Sequence, residues 1–221
     1  MKVLRFISLA TAALAILLSS ACLPTPQRDT AENPTITLYG FSIMKEVMEK
    51  EIFPAFAAKW KAEHGVDVGF VSSFAGSETV TNQILQGTPA DVAILSIDRD
   101  AMRLRDGNAT SVDWHQWPQK GIINKTPFVI IVRKGNPLNI KDFADLGRPG
   151  VKLIHPDPVS SGGAQWSLLA IYGSELKKSE AEMGKQDPVR ALNTLKAIWA
   201  NVISTPGSAR EARTQFETGY G

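Results

Sequence analysis

Cysteine is nearly absent from this 221-residue chain, which has one, Cys22. A lone cysteine excludes an internal disulfide, and at this position it leaves the rest of the chain without a thiol nucleophile or a thiolate metal site. Histidine is scarce too. His64, His115 and His155 lie far apart, and no H-E-x-x-H pair exists, so neither a metal nor another cofactor is expected. A charge of one sign is also lacking: 24 Lys and Arg stand against 22 Asp and Glu, a net +2 with no basic block. Nucleic-acid binding, which needs clustered cations against phosphates, is not expected. What is present is an ordinary globular composition, 43% hydrophobic and 21% charged. It suffices for one large domain or two lobes of ~100 residues each.

Long apolar runs are confined to the start. Lys2 and Arg5 precede a continuous apolar and small stretch from Phe6 to Leu18, then Ser19, Ser20, Ala21 and Cys22. This is the three-part layout of an export signal. The run is shorter than the ~20 residues of a stable membrane-spanning helix. Residues 1–22 are therefore read as a signal peptide. Cys22 fits a bacterial lipobox cysteine and is the lipidation candidate, with plain cleavage near Ala21 as the competing reading. Residues 23–34, with Pro24, Pro26 and Pro34 among polar neighbours, read as a flexible tether.

Strand-like and helix-like segments then alternate. Strands are expected at Thr35 to Tyr39, Val66 to Val71, Asp91 to Leu95, Phe128 to Val132, Val151 to His155 and Val202 to Thr205. The first helix should run from Ile43 to Trp60, with Met44, Val47, Met48, Ile52, Phe56 and Trp60 on one face and a kink at Pro54. Further helices are expected at Glu78 to Gln86, Asp98 to Arg105, Lys141 to Leu146, Ala164 to Leu176, Pro188 to Ala200 and from Ala209 onward. Asn108 to Thr126 is a Trp-rich irregular stretch. The alternation implies an α/β fold with a mainly parallel sheet.

Such sheets bind ligands where strands end and helices begin. Four of these junctions share one composition: Gly40-Phe41-Ser42, Ala75-Gly76-Ser77, Ser161-Gly162-Gly163 and Ser208-Ala209. A helix start has unpaired N–H groups and about half a positive charge. Glycine permits close approach of backbone to a ligand, and a serine hydroxyl adds a donor. Several such starts converging could hold a desolvated dianion without a contacting Lys or Arg. Taken singly, each serine reads equally as a helix cap.

Residues Arg133-Lys134-Gly135-Asn136-Pro137, Pro149-Gly150-Val151, Pro156, Ser160-Ser161-Gly162-Gly163-Ala164 and Trp166 together resemble the sulfate and thiosulfate-binding proteins of bacterial ABC importers. So do Phe56 and Trp60, the Gly65-Val66-Asp67-Val68 and Gly76-Ser77 motifs that follow them, and the spacing from Ala90-Asp91-Val92 to the Arg-Lys-Gly-Asn-Pro segment. The resemblance runs from about Thr35 to the final residue. It implies a type II periplasmic-binding-protein fold of two α/β lobes, lobe 1 over 35–127 and lobe 2 over 128–221, with the C-terminal return to lobe 1 absent and the chain apparently truncated. It implies an oxyanion held by the Ser42 backbone, the hydroxyl and N–H of Ser77, the Ser161 hydroxyl, and the N–H groups of Gly162, Gly163 and Ala209. Arg210 would be a supporting charge.

The resemblance further implies a periplasmic or extracytoplasmic monomer, possibly lipid-anchored, that delivers sulfate or thiosulfate to a membrane permease and catalyses nothing. Three departures from the family pattern bear on the ligand. Ser42 replaces an aspartate, Phe74, Ala75 and Glu78 stand in a loop otherwise richer in glycine, and Gln165 replaces an arginine. Molybdate and phosphate are the alternative ligands of the same fold. Glu78 could accept a proton-bearing phosphate, although a carboxylate in a first helical turn has a simpler reading. Asp98 and Asp100 read as a helix start.

An exported serine hydrolase is a further alternative, because Gly40-Phe41-Ser42 sits where a nucleophile elbow would. The second glycine of that motif is Met44 here, and no HGGG-like loop is visible. A bulky residue at Ser161 should block the anion site, and the same change at Ser179 should not.

Overall fold

The computed structural model describes residues 33–221. The export segment, Cys22 and all but Pro34 and its neighbour in the proposed tether lie outside the described residues. The order of elements carries two parallel sheets. In the first, β1 (Thr35–Phe41) is central, flanked by β2 (Gly69–Ala75) and β3 (Val92–Ile94), with both pairings parallel. In the second, β4 (Leu153–Ile154) pairs in parallel with β5 (Val202–Ser204) across an irregularity.

Helices follow the strands. After β1 the chain makes a 3-10 turn (Ser42–Met44), a short α-turn (Lys45–Val47) and a π-turn (Met48–Ile52) before α1 (Phe53–His64). The expected kink at Pro54 takes the form of this widened turn just before it. Proline has no N–H for the carbonyl four residues back, and the Phe53 N–H reaches the Met48 carbonyl instead. The break also rotates the buried face. Met44, Met48 and Phe53 join Leu38 in the core, with Phe41, Phe70, Phe74 and Ile94 packed against them, whereas Val47, Ile52 and Phe56 are exposed. A single unbroken helical period therefore misplaces three of the six residues of the expected face.

α2 (Ser77–Leu85) follows β2, and α3 (Asp98–Asp106) follows β3. α4 (Gly162–Met183) follows β4, α5 (Pro188–Ala200) packs beside it, and α6 (Ala209–Glu217) follows β5. α4 runs seven residues past the expected end and stops at Gly184, whose φ of 71° suits a helix C-terminus. The expected helix at Lys141 to Leu146 is only a 3-10 turn at Ala144–Gly147. A second core joins Leu146, Ile171 and Ile198 to Ile130, Ile140, Phe143, Leu153 and Leu195.

Phe128 to Val132, the most apolar of the expected strands, is extended chain without a strand partner among the described residues. Ile130 reaches the second core, while Val129 is 71% exposed. Strand character needs a hydrogen-bonded neighbour, which composition does not supply. Arg133 closes this segment by donating to the carbonyls of Phe216 and Tyr220 at 2.6 and 2.8 Å, with its guanidinium 3.9 Å from the Phe216 ring centre.

Candidate functional site

Parallel pairing sets the C-terminal ends of neighbouring strands side by side. Phe41 is opposite Ala75, and Gly40 is opposite Ile94. The loops leaving β1, β2 and β3 therefore open on one edge of the first sheet. The loops leaving β4 and β5 meet them there. The N–H groups of Glu78 and Thr79 donate to the Ser160 carbonyl at 3.1 and 3.4 Å. The Arg210 N–H donates to the Ser42 hydroxyl at 3.3 Å, and the Ser160 hydroxyl donates to the Gly207 carbonyl at 2.7 Å. All four serine-bearing junctions thus belong to one cluster, in which Ser42, Ser77, Ser161 and Ser208 are buried.

Glycine is required here for space. A Cβ on Gly76 would collide with the Ser160 carbonyl oxygen and lie 2.7 Å from the Gly207 carbonyl oxygen. One on Gly162 would lie 2.5 Å from Ser96 Oγ and 3.0 Å from Asp100 Oδ2. Both glycines sit where the two sheets' loops touch. The φ of −60° at Gly76 suits any residue, so contact alone selects glycine there.

The hydroxyls divide into roles. Ser161 caps α4, accepting from the Ala164 N–H at 3.3 Å, and Ser208 caps α6, accepting from the Glu211 N–H at 3.3 Å. A cap uses an acceptor lone pair and leaves the hydroxyl proton free. Ser77 differs. Its oxygen lies 2.6 Å from Asp100 Oδ2 and accepts from the Ser96 N–H at 3.0 Å. The first-turn N–H groups of Ser77, Gly162, Gly163 and Ala209 have no carbonyl behind them within their helices. None donates to a protein acceptor among the described residues.

Ion pairs flank the cluster. Arg210 Nε donates to Glu46 Oε1 at 2.7 Å, which holds the Glu46 carboxyl below its usual value. Arg210 is thereby tied to the short α-turn, Lys45–Val47, that follows β1. Glu78 is buried and carries ion pairs to Arg99 and Arg103. Gln165 Nε2 donates to Glu78 at 3.1 Å and to the Pro158 carbonyl at 2.9 Å, binding the two sheets' loops together. The Glu78 carboxylate is therefore engaged by three side chains.

Ser96, Glu46 and the burial of Asp100 carry no signal in the sequence, and Ser160 is visible there only within the Ser160-Ser161-Gly162-Gly163-Ala164 motif. Asp100 looks like an ordinary first-turn acid, yet it is wholly inaccessible. It stands one helical turn before buried Leu104, on the inward face of α3, where its composition alone does not announce burial. Ser179, the expected control for Ser161, is buried, and its hydroxyl accepts from the Asp187 N–H at 2.9 Å, so a bulky residue there would disturb the fold itself. Of the three histidines, His155 is packed inside the second unit. His155 lies against Trp199 with its ring nitrogens 2.7 Å from the Pro156 carbonyl and 2.6 Å from the Ser167 hydroxyl.

Two parallel α/β units whose helix starts meet in one buried, donor-rich cluster define a two-lobed periplasmic-binding-protein fold. The chain belongs to the bacterial extracellular solute-binding protein family, whose sequence pattern matches residues 36–220. This is a family of binding proteins and not an enzyme class. The chain is 32% identical to a sulfate-binding protein of Synechococcus elongatus, over 83% of this chain and 51% of that one. It is 36% identical to a thiosulfate-binding protein of Escherichia coli, over 79% of this chain and 52% of that one. Its structure superposes on the sulfate-binding protein SubI of Mycobacterium tuberculosis with a TM-score of 0.71 at 32% identity, covering 85% of this chain and 62% of that one. The chain spans about half the length of the curated relatives it matches.

Proposed function

We propose that this protein captures a tetrahedral oxyanion, sulfate or thiosulfate, outside the cytoplasmic membrane and hands it to the permease of an ABC importer. The observation that carries the reading is the meeting of three helix N-termini, at Ser77, Gly162 and Ala209, where the N–H groups of Ser77, Gly162, Gly163 and Ala209 serve no protein acceptor among the described residues. Ser42 joins them through its bond from Arg210. Sulfate is fully ionised at neutral pH and needs donors only. Backbone N–H groups and helix dipoles supply these without the desolvation cost of a buried cation. The names of the relatives support the same ligand class. Ser42, Ser77, Ser161, Gly162, Gly163 and Ala209 are the proposed ligand contacts, with Arg210 in support.

Residues 35–127 and 128–221 are the proposed lobes. Anion binding would hold them together, because the contacts at Gly76, Ser160 and Gly162 already join their loops. Export rests on the segment before Cys22, and mass spectrometry of the mature N-terminus from membranes would reveal a lipid on that residue. Calorimetric titration with sulfate, with molybdate and phosphate as competitors, tests the ligand. Tight sulfate binding indifferent to phosphate is the expected result. Binding of molybdate or phosphate alone would move the ligand, and binding of none would overturn the function.

A further inference from the structure

A buried acid lies within the cluster that the proposed function assigns to a dianion. Asp100 is 0% exposed, and its Oδ1 has no hydrogen-bond partner. Its Oδ2 lies 2.6 Å from Ser77 Oγ and 3.0 Å from the point where a Cβ on Gly162 would sit. It therefore stands between two of the proposed anion contacts, one from each lobe. Ionised carboxylates inside proteins collect several donors, and this one has a single hydroxyl.

Proton accounting at Ser77 makes the charge of Asp100 decisive. Ser77 has one hydroxyl proton, and its oxygen already accepts from the Ser96 N–H. If Asp100 is ionised, that proton must point at Oδ2, leaving the hydroxyl nothing to give an anion. If Asp100 is neutral, its own proton bridges to Ser77 Oγ, and the serine proton turns outward. Resting on the anion reading above, we propose that Asp100 is a proton-linked positioning residue. In its neutral form it donates to Ser77, aims the Ser77 hydroxyl at the bound oxyanion and removes a like charge from beside it.

The surroundings favour the neutral form. Burial raises the Asp100 pKa above the usual carboxylate value, against the Ser77 hydrogen bond, which lowers it. Of the charged groups facing it, Glu78 on α2 raises it, while Arg99 and Arg103 on its own helix lower it. Both arginines are engaged with Glu78. α4 presents the backbone of Gly162 and the neutral Gln165, which is bonded to Glu78.

The test is calorimetric titration of the protein with sulfate at a series of pH values from 5 to 8.5, in buffers of differing ionisation heat (about one unit apart, so that each step is up to tenfold in proton activity). Sulfate stays ionised throughout. Above the free-state pKa of Asp100, binding is expected to consume up to about one proton and to weaken towards tenfold per pH unit. Asp100→Asn, whose amide can donate to Ser77 as the neutral acid does, should consume no such proton. It should show a flat profile and bind sulfate more tightly than the unaltered protein at the alkaline end. Asp100→Leu should bind weakly at every pH. Infrared difference spectra of the unaltered, sulfate-bound protein should show a buried neutral carboxyl band, a readout that does not depend on the variants folding. Sulfate binding without proton uptake at every pH up to the alkaline end of the series, or an Asp100→Asn profile parallel to the unaltered one, would overturn the proposal. Failure of the unaltered protein to bind sulfate at any pH would instead overturn the anion reading, and this proposal with it.

Discussion

Gly76→Ala is the sharpest probe of the way the two sheets' loops meet. The backbone at Gly76 is extended, with φ −60° and ψ 143°, so alanine fits it without strain. The methyl group, however, would lie 2.7 Å from the Gly207 carbonyl oxygen and 2.8 Å from the Ser160 carbonyl carbon. Ordinary carbon–oxygen contacts begin near ~3.3 Å, and the Ser160 carbonyl oxygen is the tightest clash, so the loops must part by roughly 1 Å or more. Bonds of 3.1 and 3.4 Å from Glu78 and Thr79 to the Ser160 carbonyl cannot follow that movement within hydrogen-bonding range. Their loss, at about 1 kcal/mol each, and misalignment of one anion donor total about 2–3 kcal/mol. Sulfate affinity should therefore fall roughly 30- to 150-fold.

Thermal stability should fall by no more than those two bonds supply, because alanine restricts the unfolded chain and offsets part of the loss. Calorimetry with sulfate and a melting curve together make the assay. A variant that binds sulfate within threefold of the unaltered protein would refute the argument that the loops close on Gly76. A large drop in melting temperature would show that the contact belongs to the fold and not to binding.

Ser161→Leu should abolish sulfate binding in the same titration, since its buried hydroxyl caps α4 at the cluster; exposed Lys177→Leu on the same helix is the matched control, because Ser179 is itself buried. Glu78→Gln should destabilise the protein by about 1–3 kcal/mol in denaturant unfolding, a figure reduced from that of a fully buried pair because Arg99 is largely exposed. It should also loosen Gln165 and weaken sulfate binding several-fold. His155 has a pKa below the usual histidine value because it is buried, so the unfolded chain takes up a proton before the folded one does. Stability should accordingly fall as pH drops below 6.5 towards the depressed folded value, and His155→Gln should remove that part of the slope.

The sequence by itself determined the order of strands and helices, because alternating apolar segments, capping serines and helix-ending glycines act locally. α5 spans Pro188–Ala200 as its proline start and apolar period require. The four small-residue junctions were equally visible, since helix caps and anion loops draw on the same few residue types. Their convergence was a consequence of parallel register, which sets Phe41 beside Ala75 and brings in the Ser160 and Gly207 loops from the other sheet.

Three features depended on the tertiary structure alone. Phe128 to Val132 has the composition of a strand, but pairing is a property of two segments, and no partner lies beside it among the described residues. The inward face of the helix after β1 shifted because Pro54 widened the turn before it and carried Phe53 inward. Asp100 became exceptional only by burial against Ser77 and Gly162, which are 23 and 62 residues away along the chain. Local patterns specify elements and their ends. Which carboxylate is stripped of water, and which glycine must stay bare, follows from what the completed fold presses against it.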